Sequence, residues 1–236
     1  EAGQPQQPTC GAWERVEMLT VLWDNDGVLV DTEGLYFQAC REVLAGTGID
    51  LTLEEFQDIS LRRGESVFLL AADHGIAADD IMRLRQQRDR VYTELLLSQC
   101  PVNDGVETTL QALYGRVGMG IVTSSRRGHF EAAHAQTAVL RYMDFVLTRE
   151  DYTHSKPNPE PYLAAMARHG LQHGQCLAVE DSERGLAAAT AAGVACVIVL
   201  SDWTRDGDFG SAVSVVENIV DVTQIVLRRL EQTRRG

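Results

Sequence analysis

Five short apolar runs, rich in β-branched residues, occur along the chain. They are LTVLW (19–23), GIVT (120–123), FVLT (145–148), CLAVE (176–180) and CVIVL (196–200). Runs of this length are typical of strands that are buried on both faces of a parallel sheet. From the second run onward, segments with helical features separate them, such as PEPYLAAMARHG (159–170), which starts with Pro and ends with Gly. This alternation predicts an α/β fold with a doubly wound, Rossmann-like parallel sheet.

The interval from residue 32 to residue 100 breaks this rhythm, because it contains no convincing strand. Apolar residues recur there at roughly helical spacing among Arg, Asp and Gln: Ile81, Leu84, Val91 and Leu95. About seventy residues are too many for a plain crossover between neighbouring strands. The sequence therefore predicts a helical cap domain over 32–100, inserted into a core domain made of 18–31 and 101–236. Residues 1–17 are predicted to form a disordered leader or an expression remnant.

The charge balance of the 236-residue chain narrows the range of its partners. The formal net charge of −13 argues against nucleic acid, which needs a basic surface, and is unfavourable for anionic membranes. No apolar run reaches the ~18 residues of a membrane span. A small anionic substrate is compatible with this charge if the site itself is positive. The 5 cysteines include no C-x-x-C pair, which predicts a reduced cytoplasmic protein, and we expect a monomer or a weak homodimer.

The first run leads into WDNDGVLVDTE, where two aspartates stand two residues apart. On an extended segment Asp24 and Asp26 share a face, and Gly27 allows the chain to turn sharply. Carboxylates this close repel each other unless a cation joins them or one is protonated. Such a pair is also common as a loop or capping motif, so by itself it leaves both interpretations open. Asp31 and Thr32 are interpreted as the start of the next helix.

Polar residues also follow the other runs. Thr123 ends the second run, where its hydroxyl and the following N–H groups either hold a phosphoryl oxygen or cap a helix. Glu180 and Asp181 are adjacent acids at the end of the fourth run. Hard oxygen ligands of this kind suit Mg²⁺, although adjacent acids at a strand end are often only solvated. Lys156 follows the third run and is the only lysine in the sequence.

These residues converge if the strands are parallel, because ligands of open α/β sheets bind outside the carboxyl ends of the strands. Four carboxylates in one crevice would be unstable by themselves, and a divalent metal and one ammonium group would offset them. This is a physical reason for a single lysine, whose ammonium is a compact point charge, unlike the planar fork of arginine. An ordinary surface role for Lys156 leaves unexplained why no other surface position uses lysine.

Four motifs, DNDGVLVDT, IVTSS, SKPNPEPYL and VEDSERG, occur in order and resemble those of the haloacid dehalogenase-like (HAD) hydrolase superfamily. The resemblance covers roughly 19–200, and the motifs together are highly specific. The helical insertion resembles the type-one cap of the branch that contains β-phosphoglucomutase, phosphoglycolate phosphatase and many sugar phosphatases. One departure is Asn25, where the family usually has an apolar residue. Strand alternation predicts that Asn25 points away from the two aspartates and has little effect on the chemistry.

The resemblance implies roles for the matching residues of this chain. Asp24 would be the nucleophile that forms an aspartyl phosphate, and Asp26 would protonate the leaving oxygen and then activate water. The implied Mg²⁺ ligands are Asp24, the backbone carbonyl of Asp26 and Asp181, with Glu180 as a direct or water-mediated ligand. In the cap, SLRRGES resembles the substrate-facing loop of this branch, although its arginines are equally compatible with a solvated surface. The candidate substrate-binding residues are Thr123, Ser124, Lys156, Arg62 and Arg63, of which Thr123 and Lys156 would also hold transition-state charge.

Individual residues separate the members of this branch. Phosphonoacetaldehyde hydrolase needs a lysine in the cap, whereas Lys156 lies in the core. Haloacid dehalogenases are metal-free and lack the second aspartate, so Asp26 argues against them. β-Phosphoglucomutases carry a histidine soon after the first motif, where this chain has Tyr36. We therefore expect a Mg²⁺-dependent phosphatase of a small phosphorylated metabolite such as a sugar phosphate, with the mutase as the alternative. A silent binding module would have lost Asp24, Asp26 or Lys156.

Overall fold

The structure, a computed structural model, describes residues 18–233, and the predicted leader over 1–17 lies outside this part. The described strands are β1 (Thr20–Trp23), β2 (Gly118–Val122), β3 (Phe145–Leu147), β4 (Cys176–Glu180), β5 (Ala195–Val199) and β6 (Ser214–Val216). The described α-helices are α1 (Glu33–Ala45), α2 (Leu53–Phe56), α3 (Leu69–Asp73), α4 (Ala78–Gln99), α5 (Val106–Leu113), α6 (Arg127–His134), α7 (Glu160–His169), α8 (Glu183–Ala191) and α9 (Ile219–Thr233). None of these helices is long and apolar enough to cross a membrane.

All neighbouring strands run parallel, in the order β3-β2-β1-β4-β5-β6. The predicted doubly wound α/β fold is therefore confirmed. The side chains of β1, β2 and β4 are buried because apolar clusters cover both faces of the sheet. From β1 the chain builds β2 and β3 on one side and later returns to the other side with β4. This reversal makes the carboxyl end of β1 a topological switch point, where open α/β sheets form their ligand crevice.

Two strands differ from the apolar pattern of the sequence. The edge strand β6 was not predicted, because its three residues are partly exposed and include a serine. β2 begins at Gly118, before the start of the predicted run. The prediction missed this start because glycines interrupt the apolar pattern of the strand. Packing nevertheless requires them: a Cβ at Gly120 would lie 2.2 Å from the ring of Phe145 on β3.

The segment from α1 to α4 is helical throughout its regular elements and contains a π-helical stretch at Gln57–Arg62, which agrees with a helical cap. It has its own apolar cluster around Phe56 and Phe68. Helix α4 also packs on α6 of the core through a separate cluster that includes Tyr92 and Ala132. The cap is therefore joined to the core along α4, while α1 and the π-helical stretch border the crevice. The limits of the two domains stay a prediction.

Candidate active site

The first motif lies directly after β1, at the carboxyl edge of the sheet. The N–H of Asp24 donates to the carbonyl of Val179 on β4 (2.8 Å), so strand pairing continues to the first aspartate. The chain then turns at Gly27, whose φ of +80° favours glycine. A Cβ at Gly27 would also lie 2.2 Å from Oδ2 of Asp181. The glycine is therefore needed both for the turn and for the close approach of the fourth motif.

Three carboxylates meet at this edge. Asp24, Glu180 and Asp181 are buried, and one ligand atom from each lies within 4.8 Å of the others. Burial, and after it the charge of Glu180, raises the pKa of Asp24 from 3.8 to about 7. Burial and the charge of Asp24 likewise hold the pKa of Asp181 well above its usual range. Both shifts indicate that the ionised cluster lacks enough positive charge.

Lys156, which follows β3 in the chain, lies inside this cluster. Its Nζ donates to Oδ1 of Asp24 (2.8 Å) and to the carbonyl of Val122 (2.9 Å), and lies 2.6 Å from Oε1 of Glu180. Burial by itself would lower the pKa of Lys156, but attraction to Asp24 and Glu180 outweighs burial and raises the pKa above its usual range. One ammonium group therefore pairs with two of the three carboxylates.

The donor set of this cluster fits a divalent cation. Oε2 of Glu180 is buried and has no hydrogen-bond partner among residues 18–233, whereas Oε1 accepts from the hydroxyl of Tyr162 (2.5 Å). A Cβ at Gly185 would lie 1.9 Å from Oε2, so glycine makes room for the buried glutamate. Carboxylate oxygens that are short of positive charge are the ligands that Mg²⁺ and similar hard ions take. The residues that would hold the ion are Asp24, Glu180 and Asp181.

Asp26 has surroundings that differ from those of Asp24, because three hydroxyl groups donate to its carboxylate. Thr32 donates to Oδ1 (2.7 Å), while Thr123 (3.0 Å) and Ser125 (2.8 Å) donate to Oδ2. Thr32 immediately precedes α1, where the sequence placed the start of a helix, but its hydroxyl holds Asp26 instead of capping that helix. This role of Thr32 and Ser125 is not predicted from the sequence. The repeated hydroxyls of TSS were the available signal for Ser125.

Asn25, between the two aspartates, is fully buried and faces α6. Its Oδ1 lies 2.7 Å from Nε2 of His134, and Nδ1 of His134 lies 2.8 Å from the hydroxyl of Thr137. Burial lowers the pKa of His134 from 6.5 to about 4, so the imidazole is neutral at physiological pH. A neutral imidazole donates at one nitrogen and accepts at the other. The polar residue at this position is therefore accommodated by a buried partner, away from the acidic cluster.

A cavity of about 540 Å³ opens beside the acidic cluster, between the core and the cap. Of the predicted site residues, the cavity is bordered by Asp24, Asp26, Ser124, Lys156 and Asp181. Thr123 is fully buried beneath this surface, with its hydroxyl engaged by Asp26. The structure thus brings the residues of all four motifs to one place.

The cap wall of the cavity carries arginines whose charges are mostly paired. Arg88 is buried, donates to Asp89 (2.8 Å) and to the hydroxyl of Tyr36, and lies over the Tyr36 ring at 4.7 Å. Asp89 also accepts from Arg126 of the core (3.0 Å). Arg85 borders the cavity too, is exposed, and has no ion-pair or hydrogen-bond partner within the described part of the chain. It is therefore the arginine on the cap side that is available to an anionic ligand.

The structure does not bring Arg62 and Arg63 into this cavity. Arg63 pairs at the surface with Asp58 (3.2 Å) and Glu65 (2.9 Å), and Arg62 borders a smaller cleft. The neighbouring Gly64 borders the cavity instead, and a Cβ there would lie 2.5 Å from the guanidinium carbon of Arg184 on α8. Arg184 is therefore the cation next to this loop, a residue that the sequence analysis did not select.

Comparison with known proteins agrees with this geometry. The sequence model of the family described as haloacid dehalogenase-like hydrolase matches residues 21–199. Protein CbbY from Rhodobacter capsulatus is 30% identical over 208 residues, covering 84% of this chain and 92% of the relative. A phosphorylated carbohydrates phosphatase from Thermotoga maritima is 28% identical over 220 residues, covering 89% and 100%. The crystal structure of CbbY from Rhodobacter sphaeroides with phosphate shares the fold, with a TM-score of 0.73 at 20% identity, covering 87% and 96%.

Proposed function

The chain belongs to the haloacid dehalogenase-like hydrolase family and is a phosphatase of that family, and on this premise we propose that it hydrolyses phosphomonoesters of small phosphorylated sugars with Mg²⁺ as its cofactor. The observation that carries the proposal is the buried acidic cluster around Lys156, with Asp26 held beside it by three hydroxyls. The Thermotoga relative, named for phosphorylated carbohydrates, supports a sugar phosphate as the substrate.

Asp24 is the proposed nucleophile. Lys156 occupies its Oδ1, so the second oxygen, Oδ2, attacks phosphorus. The new bond joins Oδ2 to phosphorus while the bond from phosphorus to the sugar oxygen breaks, which gives an aspartyl phosphate and an alcohol. Lys156 keeps the Asp24 carboxylate in one orientation and also lies where it can neutralise phosphoryl charge.

Asp26 is the proposed acid and base. As a carboxylic acid it donates its proton to the sugar oxygen as that bond breaks. As a carboxylate it then takes a proton from the water that attacks phosphorus, and the bond between phosphorus and Asp24 breaks, which releases inorganic phosphate. The three hydroxyl donors hold the Asp26 side chain in one rotamer for both steps.

The acidic cluster of Asp24, Glu180 and Asp181 is the proposed Mg²⁺ site, to which the backbone carbonyl of Asp26 would add a ligand. When bound, a divalent cation would reduce the repulsion between the Asp24 carboxylate and the anionic phosphate. The raised pKa of Asp24 and Asp181 supports such a partner, because burial without a cation disfavours their ionised forms. Phosphoryl oxygens would be bound by Lys156 and by the hydroxyl and N–H groups of Ser124, because the N–H of Ser125 already donates to Thr123 (3.0 Å).

The cap supports hydrolysis over mutase chemistry. At the position where β-phosphoglucomutases carry a histidine, Tyr36 borders the cavity and its hydroxyl accepts from Arg88. A tyrosine whose pKa is raised by burial does not exchange protons near neutral pH, so it is unsuited to the acid–base work of such a histidine. Arg85 is the cap residue that we propose for a second anionic or hydroxyl-rich part of the substrate. Arg62 and Arg63 would reach it only after a movement of their loop.

We also propose a cellular compartment and an oligomeric state for the enzyme. The cysteines of the described part, Cys40, Cys100, Cys176 and Cys196, are free thiols, which supports a reducing compartment such as the cytoplasm. A cavity that is bordered by the core and cap of one chain needs no second copy, which supports a monomer or a weak homodimer.

Phosphate release from a panel of phosphorylated sugars, phosphoglycolate and nucleotides tests the function directly. Each compound is assayed with Mg²⁺ and with EDTA, and β-glucose 1-phosphate is also assayed for glucose 6-phosphate. We expect Mg²⁺-dependent phosphate release from at least one sugar phosphate. Formation of glucose 6-phosphate with little free phosphate would establish the mutase instead. Undiminished turnover in EDTA would remove the divalent cation from the proposal.

A further inference from the structure

The loop that follows β5 touches both the cap and the acidic cluster. We call residues 201–207 the Trp203 loop. It is a compact series of turns, in which the N–H of Thr204 donates to the carbonyl of Ser201 (3.3 Å) and the N–H of Gly207 donates to the carbonyl of Thr204 (3.0 Å). None of the four motifs includes this loop, and the proposed reaction assigns no role to it.

On the cap side, the loop inserts one aromatic ring. The ring of Trp203 lies 6.3 Å from that of Phe37 on α1 and 6.1 Å from that of Phe56 on α2, the latter edge-on at 80°. A Cβ at Gly34 would lie 3.3 Å from Cζ2 of Trp203, so the indole also packs closely on the first turn of α1. Aromatic contacts of this kind favour one arrangement of the rings. The position of Trp203 therefore depends on where α1 and α2 lie.

On the core side, the loop residues Ser201 and Thr204, on either side of this tryptophan, hold Asp181. The hydroxyl of Thr204 donates to the backbone carbonyl of Asp181 (2.6 Å), and the hydroxyl of Ser201 donates to its Oδ2 (3.2 Å). The two hydroxyls lie 2.7 Å from each other. Just beyond the loop, the N–H of Asp208 donates to Glu183 (2.6 Å). The loop thus orients both the main chain and the side chain of Asp181, a proposed metal ligand.

We propose that the Trp203 loop is a positioning element that couples the seating of the cap to the orientation of Asp181. The ring of Trp203 packs on the cap, so the position of the loop depends on the position of the cap. Ser201 and Thr204 belong to the same loop and orient Asp181 through their hydroxyl groups. Groups that hydrogen-bond to a metal ligand typically change metal affinity about 10–100-fold when they are removed. The inference rests on the proposed Mg²⁺ site, and it adds that the cap and the metal favour each other.

The test measures Mg²⁺ binding to the full chain by isothermal titration calorimetry, without substrate. Thr204→Val removes the hydroxyl at nearly constant volume, and we expect it to weaken Mg²⁺ binding about tenfold. Trp203→Ala removes no atom that contacts Asp181 but releases the loop from the cap, and we expect a loss of about fivefold in Mg²⁺ affinity. Trp203→Phe keeps an aromatic ring in the cluster and should stay within about twofold of wild type. If Trp203→Ala fails to fold, Trp203→Leu replaces it.

Matched controls separate coupling from general destabilisation. Thr47→Val removes a hydroxyl that donates to the carbonyl of Leu44, and Tyr114→Ala removes a ring that is exposed and packs on Tyr142. Neither residue touches the acidic cluster, so both variants should bind Mg²⁺ as wild type does. Unchanged metal affinity in these variants, together with weakened affinity in the Trp203 and Thr204 variants, supports the proposal.

Hydrogen exchange supplies a readout that a merely structural loop would not change. Coupling between two sites is reciprocal, so Mg²⁺ should slow amide exchange in α1 and α2 around Phe37 and Phe56. This slowing should be lost in Thr204→Val, although the cap contacts of Trp203 are intact in that variant. Mg²⁺ binding that is equal in wild type, Thr204→Val and Trp203→Ala would overturn the coupling and leave the metal site standing. No Mg²⁺ binding to wild type would overturn both.

Discussion

On the core side of the cavity, three buried carboxylates cluster with a single ammonium group; where the cap meets the core, Arg88 of the cap and Arg126 of the core both pair with Asp89. The core side is therefore short of positive charge, which is why burial and mutual repulsion raise the pKa of two of its carboxylates. The group of Arg88, Asp89 and Arg126 has no such deficit, because both guanidinium groups donate to Asp89. These two clusters of one cavity thus differ in whether their charges are satisfied by the protein itself.

This difference indicates which wall would perform the proposed reaction. Buried charges without partners are costly, and proteins retain them where a ligand or an ion completes them. Charged groups that are already paired within the protein contribute to the shape of the surface and to selectivity. They interact only weakly with a reacting group, because their charge is already neutralised. We therefore expect substitutions in the core wall to act mainly on kcat, and substitutions in the cap wall to act mainly on KM.

The largest effect is expected for Asp24→Asn. The amide keeps the shape of the side chain but cannot attack phosphorus, so we expect phosphatase activity to fall at least about 10⁴-fold. The variant should fold, because removing one of three buried carboxylates relieves repulsion while Lys156 keeps Glu180 and Val122 as partners. Circular dichroism and phosphate release provide the measurements. Asp79→Asn, at an exposed position of α4, serves as the control and should retain full activity.

Lys156→Arg is expected to have the next largest effect. A guanidinium group is larger and planar, and it cannot replace an ammonium that contacts Asp24, Glu180 and the Val122 carbonyl at once. We expect kcat to fall about 10²–10³-fold, the range seen when one donor to transition-state charge is lost. Near-normal turnover of this variant would refute the explanation for the single lysine of the chain.

Removing the hydroxyls around Asp26 should have a moderate effect. In the double variant Thr32→Val, Ser125→Ala, Asp26 keeps only Thr123 as a hydroxyl donor, and its carboxylate can leave the productive rotamer. Each hydrogen bond contributes about 1 kcal/mol, so kcat should fall about tenfold or more while KM changes little. Steady-state kinetics would measure both constants. Ser98→Ala, which loses an exposed hydroxyl that donates to Leu95, is the matched control.

The smallest effect is expected in the cap wall. Arg85→Met removes a cation that is exposed to the cavity and free of protein partners in the described structure, so KM should rise about threefold with kcat unchanged, as befits an exposed charge. Arg83→Met is the matched control, because Arg83 lies on the same helix, outside the cavity, and pairs with Asp80 (2.8 Å). A larger effect on kcat than on KM for Arg85→Met would erase the contrast between the two walls.

The buried strands of the core could be predicted from the sequence, because the pattern that indicates each strand is local. Each buried strand is a run of apolar residues, and in a parallel sheet the residues that follow such runs meet at one edge. This rule alone predicts that Asp24, Thr123, Lys156 and Asp181 lie together. The edge strand β6 was not predicted, because a short, half-exposed strand contains no apolar run.

Other parts of the site could not be predicted, because they depend on contacts between distant segments. Thr32 looks like any residue that begins a helix, and only the fold shows that its hydroxyl donates to Asp26. Arg62 and Arg63 stand in a suggestive cap motif, but Gly64 of that loop and Arg184 of α8 border the cavity instead. The partner of Asn25, His134, comes from a helix more than a hundred residues later in the chain.

Trapping the phosphorylated enzyme tests directly whether Asp24 is the nucleophile. The Asp26→Asn variant, which lacks the proposed base for the second step, is mixed with Mg²⁺ and ³²P-labelled 4-nitrophenyl phosphate, whose leaving group departs without the proton that Asp26 would give to a sugar oxygen, and the reaction is stopped with acid. Peptide mapping then locates the label. We predict covalent phosphate on the peptide that contains Asp24, and no label in the Asp24→Asn, Asp26→Asn double variant. Full turnover by wild type without any labelled peptide in the Asp26→Asn variant, or a label elsewhere, would rule out Asp24 as the nucleophile.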